Sequence, residues 1–302
     1  MAGARVQCVV VLYQCGPGES ETIRSLIACL NQSSDLAQQL AVLIYDNSPV
    51  EHPFVPADFP FTSIEYHHDA HNGGLTSAYN HALALADSGR IDWLLLLDQD
   101  TLVEIGLFSS LLQEIESTPP QRVCALVPRL VYGSTMISPL TVGSFQNRPI
   151  AQNFSGIPAS RLTALNSAAC LRTEAVKRIG GFPKEYWLDY LDHIVFHRLQ
   201  AGGDQVFVLD ISIQHGLSLM NLETEMSQPR YENFLAAEWA FIKETGWGGG
   251  SLVHRIRLLK RSIVHLLTQN SRSYALLTLK SSIRQPISHG NGDHERFPLN
   301  TL

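Results

Sequence analysis

Asp98 and Asp100 are separated by one residue, Gln99, and follow the apolar run Trp93–Leu97 directly. Carboxylates at i and i+2 are hard oxygen ligands, suited to Mg²⁺ or Mn²⁺ beside the phosphates of a nucleotide diphosphate. The same spacing also fits an Asp-rich turn that ends a strand and caps the next helix. Other polar groups stand at comparable positions: Asp46 in Asp46-Asn47-Ser48-Pro49, the Asn72-Gly73-Gly74 turn, and the later acids Asp189 and Asp192. If these lie at the carboxyl ends of parallel strands they share one edge, where open α/β sheets bind ligands. Independent turns would rarely all be so equipped.

Asn72-Gly73-Gly74 lets backbone approach a ligand closely and opens a helix whose N-terminus favours phosphate. A turn that needs positive φ would use the same residues. Asp189 and Asp192 are three apart, so they are expected to share a helix face, one as base for an acceptor hydroxyl and one structural. Trp187, Tyr190, Leu191 and Phe196 around them predict a half-buried setting. His193 and His197 form an i, i+4 pair, but no accompanying Glu supports a zinc-protease face. His215 follows a strand and could complete a metal site begun at Asp100. Neither GxSxG nor a phosphate loop ending in Gly-Lys-Ser is present.

The elements that must position these residues alternate. Strands are expected at Val6–Tyr13, Leu40–Tyr45, Ser63–His67, Trp93–Leu97, Val123–Leu130, Thr163–Arg172 and Gln205–Leu209. Helices are expected at Glu19–Asn31, Leu75–Leu85, from Leu102 to about Ile115, from Thr173 to Gly180, at Tyr186–Gln200 and at Tyr231–Lys243. Residues 132–160, rich in Ser, Gly, Pro and Asn, read as a loop or short hairpin near the site. The fold class is therefore α/β: a doubly wound, mostly parallel central sheet with helices on both faces, plus a C-terminal helical extension.

The 302 residues carry 45% hydrophobic and 17% charged side chains, enough for a packed core. A net charge of −6 gives no case for nucleic acid as a partner. Five scattered cysteines without a CxxC pair argue against a disulfide framework or zinc site, and favour a reducing compartment. The N-terminal apolar run reads as a strand rather than a signal peptide. No run reaches the roughly 18 apolar residues of a membrane span. Ser251–Arg284 differs from the rest: it carries seven Lys/Arg and no acid, with leucines and isoleucines at helical spacing. That pattern fits an anionic membrane surface, or a hairpin that packs on the catalytic domain or on a dimer partner.

Taken together and in order, these pieces resemble a family 2 glycosyltransferase of the GT-A fold, in the rhamnosyltransferase-like bacterial branch. They are VVVLY at Val9–Tyr13, YDNSP at Tyr45–Pro49, NGGLTSAYNHAL at Asn72–Leu83, WLLLLDQDT at Trp93–Thr101, NSAACLRTEAVKRIGGF at Asn166–Phe182, WLDYLDHIVFHRLQAGG at Trp187–Gly203 and QHGLS at Gln214–Ser218. The resemblance implies inverting transfer of a sugar from a nucleotide-diphosphate donor, with Mg²⁺ or Mn²⁺ as cofactor. It implies that Tyr13, Asp46, Asn72, Gly73, Asn80 and Asp98 bind the nucleotide-sugar, and that Asp100 and His215 hold the metal. Asp192 would be the general base, with Asp189, Trp187 and Ser167 in the acceptor pocket. It further implies a GT-A catalytic domain at 1–225, split near 101 into nucleotide-sugar and acceptor halves, and a basic helical extension at 226–302.

Three positions depart from the family pattern: Ala168 stands for Gly, Trp187-Leu188-Asp189 for an aromatic-Ile-Asp start, and Ile194 for the Glu of an Asp-x-Glu. The expected partners are a donor such as dTDP-rhamnose, or alternatively a UDP-sugar, and a saccharide or lipid-linked saccharide acceptor. The expected setting is cytoplasmic, with peripheral contact at the inner membrane face through the basic segment, and homo-oligomerisation is a further expectation. Two rivals stand beside this reading. A nucleotidyltransferase would carry a basic, glycine-rich loop after its first strand, but Gln14–Ser20 holds no Lys or Arg. A catalytically weakened sugar-binding scaffold is motivated by Ile194.

Overall fold

The computed structural model of the chain describes residues 5–117, 122–215, 226–268, 272–284 and 286. Its main sheet is built on β1 (Val6–Leu12), β2 (Leu40–Asp46), β3 (Ser63–His68), β4 (Trp93–Asp98), β5 (Val123–Tyr132), β6 (Thr135–Ser138), β10 (Cys170–Arg172) and β11 (Gln205–Gln214). The order is β11-β5-β10-β4-β1-β2-β3, with β6 paired to β5. β1 is parallel to β2 and β4, β2 to β3, and β11 to β5, whereas β10 runs antiparallel between β4 and β5. Three two-residue strands, β7 (Leu140–Thr141), β8 (Arg148–Pro149) and β9 (Leu162–Thr163), form a small second sheet beside it.

β1 and β2 are buried on both faces, as their unbroken apolar runs require. Successive side chains of β1 alternate between two cores. Val9 and Val11 join the core beneath α3 (Gly74–Gly89), α5 (Thr173–Arg178) and α6 (Leu191–Ala201). Val6, Cys8, Val10 and Leu12 join the core beneath α1 (Glu21–Gln32) and α4 (Ile105–Glu116), with the single-turn α2 (Leu36–Gln39) at its edge. Helices thus cover both faces. The five cysteines are all free.

Two expected elements change. The strand predicted over Thr163–Arg172 breaks into β9 and β10, because Ala168 takes a left-handed φ of 59° and the Ala169 N–H closes a turn on the Asn166 carbonyl. The helix predicted from Tyr186 begins only at Leu191, since Tyr190, with φ 62°, cannot continue it backward. Asp189 and Asp192 therefore do not share a helix face: Asp189 lies in the preceding loop and Asp192 in the first turn of α6.

The C-terminal residues form α7 (Gln228–Thr245), α8 (Gly250–Thr268) and α9 (Arg272–Ile283). α8 and α9 pair and pack on α7 around Tyr231, Leu235, Trp239 and Leu258. A partly buried two-pronged ion pair, Arg261 to Glu238, ties α8 to α7. α7 also packs on α6: Arg198 holds Glu244 through both guanidinium prongs, and Phe241 meets Tyr190. No described helix is long and apolar enough to cross a membrane.

Candidate active site

The loop after β4 is held by the N-terminus of α1. Ser20 Oγ donates to the Gln99 carbonyl at 2.8 Å, and Thr22 Oγ1 donates to the carbonyls of Asp98 and Thr101. Gln99 in turn accepts from the Tyr13 N–H at 2.8 Å, joining the ends of β1 and β4. The backbone of 98–101 is thereby fixed, and the two carboxylates are left for other work. Ser20 and Thr22 carry no signal in the sequence beyond helix capping.

Asp98, Asp100, Asn166, Ser167, Asp189, Asp192 and His215 line one cavity of about 320 Å³. Ser167, projected by the turn between β9 and β10, donates to Asp98 and lies 3.3 Å from His215 Nε2. Burial raises the Asp98 pKa, and the Asp100 and Asp192 charges add to that, against the Ser167 hydrogen bond and His215. Asp100 is exposed on the cavity wall.

Two expected metal ligands, Asp100 and His215, share this cavity, and His215 Nδ1 is buried without a hydrogen-bond partner. A carboxylate with phosphate oxygens suits Mg²⁺ or Mn²⁺, and an added imidazole nitrogen favours Mn²⁺ over the oxygen-preferring Mg²⁺. Among the described residues, however, no three His, Cys, Asp or Glu side chains stand close enough to cage an ion by themselves.

On the opposite wall, Asp192 accepts from the His193 N–H at 2.7 Å. Asp189 is nearly buried. Burial lifts its pKa to about 6, with the Asp192 charge adding to the rise and Arg230, 3.8 Å away, opposing it. Asp189 Oδ2, Arg230 Nε and Asn166 Oδ1 are buried without hydrogen-bond partners, so the cavity presents unsatisfied polar atoms to a ligand. Arg230 and Phe234 come from α7, so the C-terminal segment completes this cavity. Sequence reasoning missed Arg230 and Asn166. Nothing in the spacing ties Arg230 to Asp189, and Asn166 reads as an ordinary turn residue.

Three expected contacts, Asp46, Asn80 and Trp187, sit elsewhere. Asp46 is wholly buried and accepts from the Ser48 N–H, His52 Nδ1 and Tyr66 Oη, at 2.9, 2.7 and 2.7 Å. Burial raises its pKa, but these bonds outweigh it and the net direction is down. Its carboxylate organises the turn after β2 and is not open to a base. Asn80 uses both ends of its amide on the Phe182 backbone, at 2.8 and 2.9 Å, and so positions the loop before α6 without lining the cavity. Trp187 Nε1 donates to the Asn72 carbonyl at 2.8 Å, placing that ring against the glycine turn rather than the acceptor pocket.

The glycines are needed for the same reason. A Cβ on Gly74, at φ +70°, would sit 2.4 Å from Trp187, and one on Gly73 would sit 2.2 Å from Ser77 Oγ. Asp69, unremarked in the sequence, caps this turn by accepting from the Gly73 N–H at 2.9 Å. Tyr13 stands at the end of β1 with 36% exposure. Ile194, at the departure from the family pattern, is wholly buried in the core, so that position faces away from the cavity.

The comparisons with known proteins agree with this architecture. Over 92% of the chain the fold matches the solved structure of S. aureus TarS residues 1–349, with 13% identity, a TM-score of 0.51 and 90% of that chain covered. The same residues solved with UDP-GlcNAc match with a TM-score of 0.51 and 13% identity, covering 92% of this chain and 71% of that one. Full TarS matches with a TM-score of 0.50 and 12% identity, covering 92% of this chain and 54% of that one. No curated protein matches the chain. The family model described as "Glycosyl transferase family 2" matches residues 8–168, more than half of the 302 residues and all of the β1–β4 edge. The chain therefore belongs to glycosyl transferase family 2, a nucleotide-sugar glycosyltransferase with a GT-A fold.

Proposed function

We propose that the protein is an inverting glycosyltransferase that moves a deoxyhexose such as rhamnose from a dTDP donor to a hydroxyl of a growing bacterial surface polysaccharide or lipid-linked saccharide. The observation that carries this reading is the cavity in which acids from the sheet edge, Asp98 and Asp100, face acids from the α6 loop and first turn, Asp189 and Asp192. One wall suits a leaving diphosphate and the other an attacking hydroxyl. Asp192 takes the hydroxyl proton as the oxygen attacks the anomeric carbon, and the donor's C–O bond to the diphosphate breaks on the opposite side. Asp98, held by Ser167, orients donor hydroxyls. The exposed Tyr13 ring offers a face to the base. Asp100 and His215 would hold a divalent cation with the diphosphate, and that ion supplies charge neutralisation for the leaving group. No covalent intermediate is needed, in line with the missing nucleophile motifs.

A UDP-sugar is the second donor reading, favoured by the UDP-GlcNAc complex of the similar fold. Thermal unfolding with dTDP-rhamnose and UDP-GlcNAc, each with Mn²⁺, separates them, since a ligand bound by the native state raises the melting temperature. A shift with neither sugar nucleotide would defeat the reading.

The acceptor end also supports work at a membrane surface. α8 exposes Leu252, Ile256, Leu259, Ile263, Leu266 and Leu267, which fall on one stripe by helical spacing. Ser251–Arg284 has seven cations and no acid; Arg261 is taken by Glu238, and the remaining positive charge complements an anionic bilayer. Co-sedimentation with phosphatidylglycerol vesicles should retain the protein, and phosphatidylcholine vesicles should not. A stable dimer that buries the stripe would overturn this.

A further inference from the structure

A second cavity, of about 540 Å³, adjoins the reaction cavity and shares its Tyr190 and His193 walls. It is closed by two segments about a hundred residues apart. Trp247 Nε1 donates to the Gly143 carbonyl at 2.8 Å, and the Gly248 N–H donates to the Ser144 carbonyl at 3.0 Å. Gly248, with φ +70°, lets the chain pass under Arg257, where a Cβ would meet the guanidinium at 2.2 Å. That guanidinium lies 5.5 Å from the Trp247 ring centroid, so the indole is fixed by a hydrogen bond and a cation–π contact.

The lining pairs aromatic faces with planar polar groups. Phe241 meets Tyr190 at 5.4 Å between centroids, and Phe145 stands on the rim with 66% exposure, an unusual position for a large apolar ring. Arg161 also lines this cavity and pairs with no carboxylate among the described residues. No Asp or Glu is in the lining. Aromatic faces cover the C–H face of a pyranose, while guanidinium, amide and imidazole edges bond its hydroxyls. An acyl chain in the same place would leave the half-buried His197 facing apolar matter without a hydrogen-bond partner.

We infer that this cavity is a saccharide subsite, holding the acceptor sugar next to the one that carries the attacking hydroxyl. The inference rests on the acceptor-side reading above, and it gives the 142–147 turn and the Gly246–Gly250 break a shared purpose: they set the pocket's shape.

The test uses the full chain and the combined variant Phe145→Ala with Arg161→Ala. Both side chains are exposed, and circular dichroism checks that the fold is kept. The probe is a printed array of bacterial oligosaccharides one to six sugars long. Wild type should retain glycans of two or more sugars over single sugars, and the variant should weaken that retention by about tenfold. Thermal shifts with dTDP and UDP in Mn²⁺ should be equal in both. Equal glycan retention by the variant, or no retained glycan with wild type, overturns the subsite. Glycan retention without any nucleotide shift would instead overturn the donor reading and leave the subsite standing.

Discussion

The molecule places two acidic pairs across one cavity, and they are built by different means. Asp98 and Asp100 leave a central strand, and their loop is clamped by Ser20 and Thr22 of the neighbouring helix and by the Tyr13 N–H, which Gln99 accepts. Asp189 and Asp192 straddle the left-handed Tyr190, and Asp189 is balanced by Arg230 from a helix some forty residues on. The first pair sits within the residues matched by the family model, and the second lies beyond them. The difference separates a wall set by the sheet, which we propose for the leaving group, from a wall set by local turns and the C-terminal helix, which we propose for the acceptor.

The sharpest way to break that division is Asp192→Asn. A lost base should lower kcat by about a thousandfold while dTDP or UDP thermal shifts stay unchanged. Equal turnover would remove Asp192 from the mechanism. Next is Asp100→Ala, together with chelation of divalent ions by EDTA. Each should weaken Mn²⁺-dependent sugar-nucleotide binding by about a hundredfold, read by titration calorimetry, and leave acceptor retention intact. Metal-independent binding and turnover would defeat this role.

A smaller effect is expected for Asp189→Asn. Burial raises the folded-state pKa of Asp189 to about 6, above the roughly 3.9 of an unfolded Asp, so the fold favours the protonated form. Its contribution is greatest below pH about 4, is lost as pH rises to about 6, and falls no further above that. The neutral Asn should therefore stabilise the protein at pH 7.5 by at most about 3 kcal/mol, and the gain should vanish near pH 4. Denaturant unfolding across pH 4–8 measures it, and a gain independent of pH would contradict the assignment. The smallest effect on catalysis belongs to Asn80→Ala. Losing both amide bonds to Phe182 should cost about 1–3 kcal/mol of stability, with donor affinity within about twofold of wild type. A large loss of donor affinity at unchanged stability would return Asn80 to the donor site.

Much of the sheet-edge wall was legible in the residue order. Buried strands are continuous apolar runs, and their carboxyl ends carry the polar turns, so Asp98, Asp100 and the parallel sheet follow from local pattern. Local pattern does not reveal a side chain's distant partners. Asp46 and Asn80 look like ligand contacts in one dimension, yet their polar atoms are satisfied by Tyr66, His52 and Phe182. Gly73 and Gly74 look like a phosphate turn, yet Ser77 and Trp187 already require them.

By itself the sequence determined the fold class, the family and the presence of acids at the sheet edge, because these depend on hydrophobic periodicity and on which residues end each strand. Only the tertiary structure decided which polar groups remain open to a ligand. It moved Asp189 off the helix, brought Arg230 and Phe234 onto the cavity and joined the 143–144 turn to Trp247 and Gly248. The physical reason is that hydrogen-bond satisfaction and burial are set by contacts between segments far apart in the chain, and no spacing within one segment encodes them.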